Sequence, residues 1–151
     1  MYRLNTILES LEGLVKQEHV LAAFAEADVE GLNHVILSFR VRELKYIKGL
    51  NIIMYYLPGQ DLVSWVRLEV LISSDVPARD FMSRMYTELI AMKAEVVVKR
   101  DGISVIKKLG VPEIKTEVWN FLSRVVKIVE GIDINKENLR AKLMYSKHAV
   151  L

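Results

Sequence analysis

Apolar residues open the chain at three- and four-residue steps: Leu4, Ile7, Leu8, Leu11, Leu14 and Val15, continued by Leu21, Ala22 and Ala25. That spacing lines one face of an α-helix and predicts one that stops before Gly31. The period then changes. In His34–Val41 every odd position is apolar and the even ones are mixed, the alternation of a strand with one buried face. Lys48-Gly49 reads as the turn into a second strand, Leu50–Leu57. Pro58-Gly59-Gln60-Asp61 reads as the next turn, because Pro presets φ at one corner and Gly tolerates φ > 0 at the other. A third strand, Leu62–Ser73, alternates again, with Val66, Leu68, Val70 and Ile72 on one face and Trp65, Arg67 and Glu69 on the other.

A second helix is predicted from Pro77, where a missing N–H costs nothing, with Asp75 placed to cap it. Phe81, Met82, Met85, Tyr86, Leu89 and Ile90 form its apolar stripe. Glu95–Lys99 and Ile103–Ile106 flank Arg100-Asp101-Gly102, and Asp-Gly between β-branched runs is a strong hairpin signal. A third helix follows Pro112, buries Val118, Phe121, Leu122, Val125, Val126 and Val129, and ends at Gly131. Asn135–Tyr145 predicts a short helix through Leu139, Leu143 and Met144.

The order is α-βββ-α-ββ-α. It predicts an α+β fold with a five-stranded antiparallel sheet and helices packed mainly on one face. Residues 1–131 read as a single domain and 132–151 as a C-terminal tail. In element order, in the Pro-started middle helix and in the Asp-Gly hairpin before a last amphipathic helix, residues 3–131 resemble type III secretion chaperones and the YbjN-like proteins. That resemblance implies a small homodimeric protein, chaperone-like or regulatory, with no catalytic residues to carry over.

Composition narrows the classes. The chain has 151 residues, enough for one core, with 52% apolar and 26% charged residues. Twenty-one Lys/Arg against 19 Asp/Glu give a net charge of +2, without the basic excess of a nucleic-acid protein. The absence of cysteine removes disulfides, thiolate metal sites and thiol nucleophiles. The longest apolar run, Ile52–Leu57, is far shorter than the roughly 18–20 residues a membrane span needs, so the expectation is a cytoplasmic protein with no membrane partner. Two glutamines and abundant valine lean towards a heat-adapted source, a thermophile.

No constellation for chemistry emerges. His19, His34 and His148 lack metal-ligand partners at helical or strand spacing. Glu9 with Glu12 and Glu113 with Glu117 fall on the solvated sides of helices, not across a cleft. Ser73-Ser74 follows a strand without the Gly-x-Ser-x-Gly of a nucleophile elbow, so helix capping is the simpler role. The seven glycines never cluster into a phosphate loop. The expectation is no enzyme, no catalytic residue, no metal and no cofactor. A pocket gathering His34, Tyr46 or Glu43 would speak for catalysis instead.

Two surfaces stand out. The outer face of the first three strands should be polar if water covers it. It offers Ile36, Ile53, Tyr55 and Trp65 among Ser38, Arg40, Arg67 and Glu69, a mixture that favours interface centres. Ile36, Arg40, Ile53, Tyr55, Trp65 and Arg67 are therefore the candidate partner or dimer surface, for a second copy or for an apolar segment of another protein. The alternatives are a tail folded over this face, or apolar residues merely tolerated there. The second surface is basic: Lys99, Arg100, Lys107 and Lys108, with Lys93 nearby, sit on or beside the hairpin. They could contact nucleic-acid phosphates, or protect an edge strand from aggregation.

Overall fold

The computed structural model describes residues 2–3, 24–29, 32–57, 59, 62–110 and 114–145. The strands are β1 (Tyr2–Arg3), β2 (Phe24–Val29), β3 (Leu32–Val41), β4 (Ile47–Tyr56), β5 (Leu62–Ser73), β6 (Glu95–Lys99), β7 (Gly102–Leu109) and β8 (Leu143–Tyr145). The helices are α1 (Ala78–Ala91), α2 (Ile114–Glu130) and α3 (Lys136–Lys142). The five expected strands form one antiparallel sheet in the order β3-β4-β5-β7-β6, giving the α+β class that the periodicity predicts. Three short strands extend it. β2 and β8 share the outer edge of β3, and β1 pairs with the start of β5.

Alternation along the strands decides which side is covered. Val35, Leu37 and Phe39 of β3, Leu50, Ile52 and Met54 of β4, and Val66, Leu68 and Val70 of β5 are all buried on one face. Phe81, Met85 and Leu89 of α1 and Val118, Phe121, Leu122 and Val125 of α2 join them in one cluster. Each such side chain contributes roughly 1.5–3 kcal/mol by leaving water, which fixes the strand register against slippage.

Several local expectations are corrected. The predicted first helix lies outside the described residues up to 23, but its last part, Phe24–Val29, is strand and pairs with β3. Ala25 sits opposite His34 in a ladder, and these backbone bonds outweigh a helical stripe that had thinned to alanines. Lys48-Gly49 is no turn. The chain reverses at 42–46, where Glu43 takes φ 64°, and Gly49 lies within β4. A Cβ at Gly49 would stand 3.0 Å from the Phe39 carbonyl oxygen, so the glycine serves close strand approach. Asp75 does not cap α1. Pro77 holds the cap position without a side-chain hydrogen bond, and the Asp75 N–H donates to Ser73 Oγ at 3.1 Å. Ser73 therefore closes the turn before the helix and caps no helix.

Gly131 ends α2 at φ 74°, its N–H bonded to the Lys127 carbonyl. After it, α3 starts at Asn135, whose side chain accepts from the Asn138 N–H at 2.8 Å. Leu139 is fully buried in the common core, and β8 then pairs with Phe39–Val41. The segment at 132–145 is thus docked on the β3 edge and the helix layer, and does not run over the outer face. Within the described residues no helix is long and apolar enough to cross a membrane.

Candidate functional site

Strand register arranges the outer face in rows. His34, Tyr55 and Trp65 lie side by side across β3, β4 and β5. Tyr55 stacks on Trp65 at 4.0 Å between ring centroids, and Lys108 Nζ sits 5.2 Å from the Trp65 ring. The next row runs Ile36, Ile53, Arg67 and Lys108; the one after it runs Ser38, Asn51, Glu69 and Ile106. Ser38 Oγ donates to Asn51 Oδ1 at 2.7 Å.

Glu69 is the centre of this face. Its side chain is buried, yet Arg67 Nη2 donates to Oε2 at 2.8 Å, while Lys99 Nζ and Ser104 Oγ donate to Oε1 at 3.4 Å each. A buried carboxylate is tolerated only when paired in this way. Arg67 Nε is buried without a partner among the described residues. A groove of about 350 Å³ opens beside the cluster, lined among others by Lys48, Asn51, Glu69, Lys99, Asp101 and Ser104. Its two ammonium groups and two carboxylates balance, and its buried carboxylate is already tied to three donors.

The expected partner surface is only in part open. Ile53 and Tyr55 are each 5% exposed, so neither is available at the centre of a docking face. Within the sheet, Tyr55 is flanked by the His34 and Trp65 rings and Ile53 by Ile36 and Arg67. Ile36, Trp65 and Arg67 are half-buried, and Arg40 is exposed. The four hairpin cations do not share a surface either. Lys99 and Lys108 face outward but are engaged with Glu69 and Trp65, Arg100 stands at the hairpin tip, and Lys107 points to the opposite side, opposite Leu68. His34, Tyr46 and Glu43 do not converge, since His34 lies near one end of β3 and the other two lie in the loop beyond its far end. Among the described residues no group of three or more His, Asp or Glu side chains is placed to hold a metal.

A different surface emerges at the β6 edge. Five large apolar side chains are exposed among the described residues: Tyr86 at 57%, Ile90 at 57%, Val97 at 40%, Val98 at 59% and Ile132 at 44%. Four of the five belong to β6 and α1, which touch each other. On α1, Phe81, Met85 and Leu89 point into the core, and Glu88 shares a small cavity with Lys127 and Ile128 of α2. Tyr86 and Ile90 therefore occupy the flank turned away from α2, on the β6 side. The six-residue apolar stripe read from sequence is too wide for one core contact, and that width was the available signal. Phe81, Met85 and Leu89 are buried, Met82 is half-buried against the core, and Tyr86 and Ile90 stay in water.

β6 is also the last strand of the sheet. Among the described residues nothing pairs with its far side, and only Val96 of its five residues is even half-buried. Three consecutive valines do not alternate, so the strand is apolar on both faces. Such an edge is a template for another strand. No protein family, curated protein or solved structure matches the chain.

Proposed function

We propose that the chain is a protein-binding module, chaperone-like or regulatory, that carries no catalysis of its own and takes up a partner strand along β6. The observation that supports this is the gathering of four exposed apolar side chains, Tyr86, Ile90, Val97 and Val98, around an unpaired strand edge. Strand addition supplies affinity through main-chain hydrogen bonds, and side-chain contacts on either face supply selectivity. The likeness in element order to secretion chaperones points the same way.

A labelled peptide with the sequence of residues 93–101 tests the reading by fluorescence anisotropy. The expected result is saturable binding that Val98→Pro abolishes, because proline removes a donor from the free side of the strand. Absence of both peptide binding and self-association at high micromolar chain would contradict it.

A further inference from the structure

We propose that the occupant of this edge is a second copy of the chain, joined β6 to β6 in antiparallel register about a two-fold axis at Val97. The proposal rests on reading the edge as a protein-binding surface, and it commits to one partner and one register. The two-residue loop Arg100-Asp101 makes Lys99 and Gly102 the closing pair of the hairpin. Backbone groups alternate along an antiparallel strand. Glu95, Val97 and Lys99 therefore turn theirs to β7, and Val96 and Val98 turn theirs outward.

The outward groups suit a two-fold pairing. With Val97 opposite its own copy, Val96 faces the partner's Val98 and Val98 the partner's Val96, which gives four new backbone hydrogen bonds. The charges fall into place in the same register. Glu95 lies opposite the partner's Lys99, and Lys99 opposite the partner's Glu95, all four on the outer face with Val97. Glu95 makes no ion pair among the described residues, and the Lys99 contact to Glu69 is long at 3.4 Å with the side chain 44% exposed, so both can take part. A shift of one residue in either direction places Glu or Lys opposite valine. On the helix side, Tyr86 and Ile90 of the two copies flank the new strand pair and extend the apolar area. The result is one continuous sheet through both protomers, with no free edge at β6.

Multi-angle light scattering reads the assembly, and cysteine scanning reads the register in a chain that has no cysteine of its own. The expected mass is twice 17.3 kDa. Val97→Cys should form a disulfide-linked dimer under mild oxidation, since its non-hydrogen-bonded pair brings Cα atoms to about 4.5 Å, within disulfide reach. Val98→Cys should not, because its copies stand about 8–9 Å apart. Val98 is the more exposed of the two, so random collision would favour it instead. Glu95→Lys places like charges opposite each other twice and should weaken the dimer about tenfold.

A mass of 17.3 kDa at every concentration overturns the proposal. So does a dimer in which Val98→Cys cross-links as readily as Val97→Cys, or one indifferent to Glu95→Lys. A monomer that still binds the β6 peptide overturns the second-copy pairing alone and leaves the binding-module reading standing.

Discussion

Gly102 shows how much one residue can carry. It reads from sequence as a turn corner, but it lies in β7 at φ 150°, opposite Ser73, and a Cβ there would stand 2.1 Å from the Ile72 carbonyl oxygen. Gly102→Ala should cost about 2 kcal/mol or more, measured by urea denaturation, because backbone rather than a flexible side chain must yield. Glu69 is the second such residue. Alternation puts it correctly on the outer face, yet nothing in its own spacing reveals that Arg67, Lys99 and Ser104 close over it from three strands. Glu69→Leu should lower stability by about 1–2 kcal/mol in the same experiment, the lower part of the range for stranded donors, since Arg67 and Lys99 keep access to water.

At the scale of elements, the strongly periodic segments were legible: β3, β4, β5, the hairpin, α1 and α2 lie where alternation and helical spacing predict. What escaped depends on partners distant in sequence. Phe24–Val29 is strand because β3 offers it a ladder, and residues 42–46 turn because β8 and α2 hold them. There the Glu130 carboxylate accepts from the Tyr46 N–H at 2.9 Å, and Arg42 donates to the Ala141 carbonyl oxygen at 2.9 Å. Lys142 Nζ donates to Glu43 Oε2 at 2.9 Å. That hydrogen bond, reinforced by the Lys142 charge, holds the Glu43 carboxyl below its ordinary value of 4.5. A depressed carboxyl stabilises above its unfolded pKa, and the contribution disappears as pH falls through the folded one. Lys142→Met should therefore lower the Tm slightly at pH 7 and leave it unchanged once Glu43 is protonated in acid. Leu139→Ala tests the same docking through packing. Its fully buried side chain predicts a loss of about 2–5 kcal/mol, with faster exchange of the β8 amides.

The whole molecule is asymmetric. One sheet edge ends in two short strands, β2 and β8, side by side along β3, and the other ends in three valines beside Tyr86 and Ile90. The sequence pointed to protein contact on the outer face, whereas the exposed apolar side chains gather at the β6 edge, and alternation alone does not show that Ile53 and Tyr55 are each only 5% exposed. Amide exchange at β6, followed by NMR as a function of chain concentration, tests the proposed pairing at this edge most directly. The N–H groups of Val96 and Val98 turn away from β7, whereas that of Val97 turns towards it. Protection of Val96 and Val98 that rises with concentration, while Val97 is protected throughout, is the predicted result. Rapid exchange of Val96 and Val98 at all concentrations, with association seen elsewhere or not at all, would contradict it.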